Sequence, residues 1–521
     1  MKRPLEAFPA AVSAIRGRLS VVAGQSERTL VLGAVLLVSA LSVVRGFVLA
    51  RYFSMDVLST LVIHVPEDCL LDWPAQVGRH CFSDYSLVLS YGMRPDPWEP
   101  FPLPHFKSAH NNYSAAAMLP HMFFGYLGNW LHAPKRGLVG YLLALTTASF
   151  TPAVWAARGA RGLERVVVFM ALGVAAIPAW AVIDRGNSVG FVVPIALVFL
   201  VALCRRRWGL VAVMVVLASL VKPQFVVLVV ALFAARQWRW GGFAVAGAVI
   251  TNLAAYLVWP RNFPITILQS IHEALGFGSS SSASSADVFN MSFAEGLLII
   301  PDDMKAGEAG GKIPADFVAG PRSLLGYVVL VLAVVCVVAL GRRISPVMAG
   351  IVLLATASLF PSLVPAYYLI FALPIAALIA RDPNGSTGFG IFDRPETLGG
   401  RRRAVGLCVS LAAVLSIAQT VPIGPPLWNQ NMGAEALVGH IVAVITSVRM
   451  APVLWLIACM AIIVSYARKP TPSHGSKRWA NPDGSRDLAA NNSLRRMAVP
   501  TTESQPLSPA ASVELSDKRR I

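Results

Sequence analysis

Acidic side chains are scarce in this sequence, and charge of either sign is uncommon. Only 14% of the 521 residues are charged, and 27 Asp and Glu stand against 44 Lys and Arg. With 55% hydrophobic residues and a mean hydropathy of +0.62, the chain is too apolar for a soluble domain that hides its hydrophobic side chains in one core. The composition therefore indicates a polytopic membrane protein.

Cysteine is rare as well, and the six cysteines show no Cys/His spacing of the zinc-binding type. Two of them, Cys69 and Cys81, fall in a long polar segment, where a disulfide and two free thiols are equally open interpretations. The other four lie in or beside apolar segments and are interpreted as small hydrophobic residues: Cys204, Cys336, Cys408 and Cys459.

The excess of basic residues is not typical of a nucleic-acid-binding protein, because these residues sit in short clusters between apolar segments. Such clusters are the positive-inside signature of cytoplasmic loops. We therefore expect no nucleic-acid partner, and we expect the clusters to share the cytoplasmic face. They are Arg158 with Arg161 and Arg165, Arg205 to Arg207, Arg236 with Arg239, Arg342 with Arg343, Arg401 to Arg403, and Arg468 with Lys469.

The apolar segments predict an all-α membrane fold with about twelve transmembrane helices across residues 29–467, since roughly 20 apolar residues are needed for each crossing. Residues 1–28 are expected to be a cytoplasmic N-terminal segment ahead of a signal anchor. The polar residues 468–521 are expected to be a disordered cytoplasmic tail. Two long extracytoplasmic loops are predicted, at residues 51–113 and 260–321.

Two apolar segments carry breaks that decide the topology. Residues 208–235 are too long for one crossing and are interrupted at Lys222-Pro223, which predicts a helical hairpin with this pair at its outer turn. Residues 114–133 are interrupted by Pro120, and charge parity places both of their ends on the outer face, which predicts a re-entrant segment. The sequence thus predicts a multi-pass membrane protein whose site faces the extracytoplasmic side.

The first outer loop carries seven acids in a chain that has few, which makes it the best candidate for a functional site. Within it, Asp84 suits a general base that takes the proton of an attacking hydroxyl group. The alternative is a solvated loop carboxylate without a role in chemistry. Asp68 and Asp72 are rivals for the same function.

Ionisable side chains at the edge of a membrane segment are functional candidates, because their burial is costly. Lys222 either binds a phosphate as a point charge or extends to the outer interface. Arg185 is either a second phosphate ligand or half of an ion pair with Asp184. His272 either holds a phosphate or is an ordinary polar loop residue.

Several motifs follow one another along the chain. Asp84-Tyr85 precedes Arg185-Gly186-Asn187-Ser188, which opens an apolar run, and residues 218–223 and 236–239 come next. An Asn-x-Ser element then lies within residues 289–296. Their order and spacing resemble glycosyltransferase family 87, whose members are polytopic GT-C enzymes that use polyprenyl-phosphate sugars.

Some positions depart from the family pattern. Tyr113 is followed by Ser114 where the family has proline, and one extra residue precedes Gly296. Tyr367-Tyr368 stands where mannose-transferring members tend to have a histidine-rich motif. A tyrosine pair there is similar to the branching arabinofuranosyltransferases of mycobacterial arabinan, which favours arabinofuranose as the sugar.

The resemblance implies an inverting transfer, without metal or cofactor, from a polyprenyl-phosphate sugar to a cell-wall glycan or glycolipid among membrane lipids. It implies Asp84 as the catalytic base. The donor phosphate would contact Lys222, Arg185 and His272, and the substrate would contact Asn187, Asn290, Ser292, Tyr367 and Tyr368. Transfer of mannose from polyprenyl-phosphate mannose is the alternative, and a lipid-sugar flippase or an O-antigen-ligase-like enzyme are the rival classes.

Overall fold

The structure is a computed structural model that describes residues 25–53, 82–103, 106–109, 111–280, 290–308, 321–393, 403–419, 427–428, 442–443 and 447–468. Several predictions fall on other residues. Cys69, Cys81, the rival bases Asp68 and Asp72, and nearly all of the N-terminal segment and of the C-terminal tail lie outside the described residues.

The described chain is almost entirely helical, as the composition predicts. Two short antiparallel ribbons are its only strands: β1 (Phe101–Leu103) pairs with β2 (Phe106–Ala109), and β3 (Leu427–Trp428) with β4 (Val442–Ala443). The helices are α1 (Glu27–Phe53), α2 (Ser83–Gly92), α3 (Ala115–Trp130), α4 (Pro134–Ala157), α5 (Gly162–Phe169), α6 (Ile177–Arg185), α7 (Val192–Cys204), α8 (Trp208–Val221), α9 (Val230–Ala234), α10 (Trp238–Ala255), α11 (Ile265–Ser280), α12 (Phe293–Glu308), α13 (Pro321–Leu340), α14 (Pro346–Leu359), α15 (Ala372–Ala380), α16 (Arg403–Ile417) and α17 (Ala451–Ala467).

The apolar helices in the described residues are compatible with a polytopic membrane protein. Five helical segments are long and apolar enough to cross a bilayer: Glu27–Val48, Pro134–Ala157, Trp238–Val258, Leu324–Arg343 and Ser447–Ala467. A sixth arises if the pair Gly162–Val174 and Ile177–Arg185, bent by 45°, counts as one span. Six further apolar helices have 10–17 residues, so the number of twelve spans stays a prediction.

Proline and local backbone geometry explain where several helices end. Lys222 has an extended backbone (φ −148°, ψ 117°) and separates α8 from the turn that begins at Pro223, so the predicted break is present. The bend between α5 and α6 follows a π-helical turn, Met170–Val174, and Pro178 lies near the start of α6.

Three segments differ from the sequence-based description. The helix α3 runs through Pro120 without the predicted break, although this proline leaves the Ala116 carbonyl without its intrahelical partner. Its 16 residues extend about 24 Å, less than the roughly 30 Å of a hydrocarbon core. The first outer loop contains α2 with the β1–β2 ribbon, and the second contains α11 and α12.

Arginines from distant parts of the chain, among them Arg205 and Arg403 of the predicted clusters, meet at one end of the bundle. Arg205 Nη2 donates to Pro383 O (2.8 Å), and Arg381 Nη1 donates to Trp155 O (2.6 Å). Arg28 forms an ion pair with Glu164 and donates to Ala380 O (2.7 Å), while Arg403 Nη2 donates to Gln25 O (3.2 Å). We call this region the basic end, and its assembly is consistent with the charge-parity argument.

The opposite end of the bundle carries the candidate site. Along α4, Tyr141 contacts His121 and Gly186, whereas Trp155 lies at the basic end. The two positions are 14 residues apart along the helix, which corresponds to about 21 Å. The candidate site and the basic end are therefore about two-thirds of a bilayer core apart.

Candidate active site

Asp84 lies in the first turn of α2 and is only 6% exposed. A solvated loop carboxylate is therefore not what the structure contains. The position near a helix N-terminus favours a negative charge, because the helix dipole is positive there. A buried carboxylate also requires polar partners, since burial without them is costly.

Two side chains from one turn supply those partners. Arg185 Nε lies 3.2 Å from Asp84 Oδ1, and Asn187 Nδ2 donates to Asp84 Oδ2 over 2.6 Å. Between them, Gly186 has a left-handed backbone (φ 68°) and ends α6. This tight turn brings Arg185 and Asn187 to the same carboxylate, so the ion pair of Arg185 joins residues 101 positions apart in the chain.

Asn187 is the centre of the polar cluster and is 1% exposed. Its Nδ2 lies 3.1 Å from the hydroxyl of Tyr113 and 3.2 Å from the hydroxyl of Tyr367, in addition to Asp84. The backbone N–H of Val189 donates to Asn187 Oδ1 (2.9 Å), which fixes the orientation of the amide. Two amide hydrogens thus face three oxygens.

Lys222 approaches the same cluster from the break between α8 and the following turn. Its Nζ lies 4.0 Å from the centroid of the Tyr113 ring, within the range of a cation–π contact. Because the Tyr113 hydroxyl accepts from Asn187, one aromatic ring separates the ammonium group from the amide that holds Asp84. The structure therefore brings Lys222 beside the site.

His121 and Tyr141 also support the site, although the sequence analysis did not include them. Tyr141 Oη donates to Gly186 O (2.9 Å), and His121 Nε2 lies 3.2 Å from the same carbonyl oxygen. The two rings stack at 4.9 Å, and the ring of Tyr113 stands edge-on to His121 at 6.1 Å. A histidine inside an apolar stretch is the sequence signal that would have identified this support.

Two phenols at the site stay protonated at neutral pH. Burial raises the pKa of Tyr85 to about 12. Burial, reinforced by the negative charge of Asp84, raises the pKa of Tyr113 well above its ordinary value. Both hydroxyls are therefore available as hydrogen-bond donors, and the Tyr85 hydroxyl has no partner among the described residues.

Asn290 connects to the tyrosine pair through backbone contacts. Its Nδ2 donates to Ser362 O (2.9 Å), and its Oδ1 accepts from the backbone N–H groups of Ser292 (3.1 Å) and Val364 (2.9 Å). These bonds fix the segment that leads into Tyr367. The part played by Asn290 in the structure is thus to position this segment.

Ser292 and the tyrosine pair complete the predicted set. Ser292 Oγ accepts from the backbone N–H of Glu295 (3.1 Å), which caps the start of α12. The rings of Tyr367 and Tyr368 stack at 5.2 Å with an interplanar angle of 27°. Tyr368 therefore joins the cluster through Tyr367, and Ser292 joins it through Asn290.

His272 lies exposed on α11, and its contact with the donor phosphate stays a prediction. The described residues also contain no group of three or more His, Cys, Asp or Glu side chains placed to hold a metal ion. The site as described consists of one carboxylate, two cations, an amide and several phenols.

The chain was compared with known proteins. No protein-family profile, curated protein or solved structure matches the chain.

Proposed function

We propose that this chain is a membrane glycosyltransferase that transfers a sugar, arabinofuranose, from a polyprenyl-phosphate donor to a cell-wall glycan or glycolipid. One observation carries the proposal: the buried Asp84 is held by Arg185 and Asn187, with the ammonium group of Lys222 one aromatic ring away. A base and two cations in one polar cluster are what this transfer needs. The motif resemblance to glycosyltransferase family 87 supports the same chemistry.

In the proposed reaction, the Asp84 carboxylate accepts the proton of an acceptor hydroxyl group. The resulting oxygen nucleophile forms a bond to the anomeric carbon from the face opposite the phosphate. The bond from that carbon to the phosphate oxygen breaks, the phosphate leaves with the bonding electrons, and the anomeric configuration inverts. General base assistance of this kind contributes roughly 10²- to 10⁴-fold to a rate.

Arg185 and Lys222 have the complementary task of stabilising the phosphate. Negative charge grows on the leaving group as the bond breaks, and a positioned donor in a dry site is worth about 2.7–4 kcal/mol. Arg185 pairs with Asp84 in the structure. A donor phosphate that competes for this guanidinium would loosen Asp84 from its cation as the substrates assemble, so binding and activation of the base are coupled.

The phenols provide the surface for the sugar in this proposal. Tyr367 and Tyr368 form a stacked pair, and sugar rings commonly pack against aromatic faces. The Asn187 amide has two hydrogens but lies near three oxygen atoms, those of Asp84, Tyr113 and Tyr367. A substrate hydroxyl can therefore replace one of the phenols while both amide hydrogens keep a partner. The tyrosine pair favours arabinofuranose over mannose.

The proposal also assigns a location. The protein is placed in the plasma membrane with the basic end in the cytoplasm and the Asp84 end on the extracytoplasmic side, where polyprenyl-phosphate sugars and cell-wall acceptors meet. The gathering of these arginines at one end supports this orientation.

The decisive experiment measures transfer from synthetic polyprenyl-phosphoryl arabinofuranose and, separately, polyprenyl-phosphoryl mannose. Wild-type protein is compared with Asp84→Asn and with Glu99→Gln, an exposed carboxylate that serves as the matched control. We expect transfer of arabinofuranose that falls at least about 100-fold in Asp84→Asn and not in Glu99→Gln.

Other outcomes have definite meanings. Transfer of mannose alone would replace the sugar and keep the mechanism. Full activity of a folded Asp84→Asn protein would refute Asp84 as the base. The absence of transfer from either donor, together with movement of the labelled lipid between leaflets, would favour a flippase.

A further inference from the structure

A second polar site lies at the basic end, far from Asp84. A cavity of about 420 Å³ is formed where the turn between α7 and α8, the turn between α9 and α10, and the start of α14 come together. Sites for small molecules and cofactors have volumes of roughly 300–1,000 Å³. Its wall includes the apolar side chains of Ala231, Ala234, Ile344 and Ala349. The cavity is thus large enough for a ligand and apolar on one side.

Two arginines give this cavity its charge. Arg206 and Arg342 both line it and are both exposed, and neither guanidinium group has a hydrogen bond or ion pair with any described residue. No carboxylate is among the residues that line the cavity. Trp208 and Gln237 add N–H donors to the lining. The cavity therefore presents donors and positive charge without an internal counter-ion.

The backbone at Arg206 fixes where its side chain starts. Arg206 adopts a left-handed conformation (φ 52°) in the turn that ends α7, where its N–H donates to Leu203 O (3.2 Å). This turn leaves the Arg206 side chain at the wall of the cavity.

The surroundings favour a ligand that carries hydrocarbon chains. The helix α13 ends just before Arg342, and its last two turns expose Val335 (56%) and Val338 (51%). Exposed apolar helix faces of this kind lie against lipid tails in a membrane. An acyl chain can therefore run along α13 while its phosphate reaches Arg342.

We propose that this cavity binds the phosphate group of an anionic lipid, with Arg206 and Arg342 as its ligands and Trp208 and Gln237 as additional donors. Basic pockets between membrane helices bind anionic headgroups through such contacts. The proposal does not depend on the glycosyltransferase activity. It assigns the basic end a function in lipid recognition.

The test measures binding of phosphatidylglycerol to the detergent-purified full chain by native mass spectrometry, with phosphatidylcholine and inorganic phosphate as further probes. Each basic residue near a membrane surface is worth about fivefold in affinity. We expect Arg206→Gln and Arg342→Gln to weaken phosphatidylglycerol binding about fivefold each, and the double variant about 25-fold.

The chain offers matched controls. Arg207→Gln and Arg343→Gln remove the same charge from exposed neighbours that do not line the cavity, and they are expected to bind as the wild type does. Ala235→Leu keeps every charge but fills part of the cavity, and it is expected to weaken binding. This last variant distinguishes occupation of the cavity from general attraction to the basic face.

The outcomes separate the possible sources of the phosphate. Binding of phosphatidylglycerol in preference to phosphatidylcholine, and only weak binding of inorganic phosphate, would support a lipid headgroup. Equal affinity for inorganic phosphate would show that free phosphate is the ligand of the same residues. Equal binding of phosphatidylglycerol to the wild type, to the double variant and to Ala235→Leu would overturn the proposal.

Discussion

Asn187 and Asp84 lie 103 residues apart in the chain, yet the Asn187 amide donates a hydrogen bond of 2.6 Å to the Asp84 carboxylate. The same amide reaches the phenols of Tyr113 and Tyr367. Elements from the first outer loop, from the end of α6 and from the start of the Ala366–Phe371 turn thus meet at one side chain. The proposed chemistry depends on this meeting point.

Replacing Asn187 by aspartate tests whether an ionised Asp84 is needed. The variant keeps the oxygen that accepts from the Val189 N–H but places a second carboxylate beside Asp84. Two carboxylates at this distance share a proton, so the ionised base forms only at higher pH. We expect the acid limb of the pH–rate profile to move to higher pH, with a loss on the order of tenfold at pH 7. Asn187→Ala is the uncharged control, and an unshifted profile in Asn187→Asp would contradict the function of Asp84 as a base.

Two substitutions of Tyr113 distinguish the contribution of its hydroxyl group from that of its ring. Tyr113→Phe removes the hydroxyl near Asn187 but keeps the ring under Lys222, whereas Tyr113→Leu removes both. A cation–π contact is worth about 0.5–2 kcal/mol, so we expect Tyr113→Leu alone to raise the KM for the donor, by roughly 2- to 30-fold. Steady-state kinetics with varied donor concentration provide the measurement. A KM that rises equally in both variants would mean that Lys222 is not positioned by the ring.

The parts of this arrangement that follow local rules were predictable from sequence. A run of apolar residues makes helices in a membrane, and Lys222-Pro223 breaks one because proline restricts the residue before it. The contacts of Asp84 were not predictable in this way. They join residues with no local relation, and only the motif resemblance placed Asp84 and Asn187 in one set before the fold was known.

The helix α11, in the second outer loop, is another feature that the sequence analysis did not predict. In α11, Thr266 and Ser270 are buried (1% and 2% exposed), whereas Ile265 and Leu268 are exposed (62% and 71%). The polar side chains face the protein and the apolar ones face outward, which is the reverse of a soluble amphipathic helix. The rule for soluble amphipathic helices does not recognise such a pattern, and the sequence predicts a polar loop here instead. His121 was missed as well, although a histidine inside an apolar run is a signal of a buried polar contact.

Gly186 is expected to tolerate no side chain. Its backbone is left-handed, and a Cβ there would lie 3.1 Å from the Cβ of Tyr85. We expect Gly186→Ala to lose about 1–2 kcal/mol of stability and to displace Arg185 and Asn187 from Asp84, which lowers activity as well. Thermal unfolding in detergent and transfer assays measure both effects. Gly242→Ala is the control, because a Cβ at that helical position meets no atom within 4 Å, and an equal loss in both variants would contradict the argument.

Asn290 is expected to act through structure and not through contact with substrate. Asn290→Ala leaves two buried backbone N–H groups, those of Ser292 and Val364, and the half-buried carbonyl of Ser362 without their partner. Each unsatisfied buried group costs about 1–3 kcal/mol, so we expect a loss of several kcal/mol in the absence of any substrate. Thermal unfolding without donor measures this, with the exposed Asn129→Ala as control. If Asn290→Ala unfolds normally but raises the KM for the donor, Asn290 contacts the substrate instead.

The proposed location of the site is tested by cysteine accessibility, because the two ends of the bundle carry suitable positions. Lys135 is exposed at the start of α4 beside the Asp84 end, and Arg343 is exposed at the basic end. In a protein without its native cysteines, we expect Lys135→Cys to react with a membrane-impermeant maleimide in intact cells. Arg343→Cys should react only after permeabilisation, since arginine clusters stay in the cytoplasm. The opposite labelling would place Asp84 on the cytoplasmic side, where an extracytoplasmic acceptor cannot reach it, and would refute the proposed transfer even if the base and the cations were correctly identified.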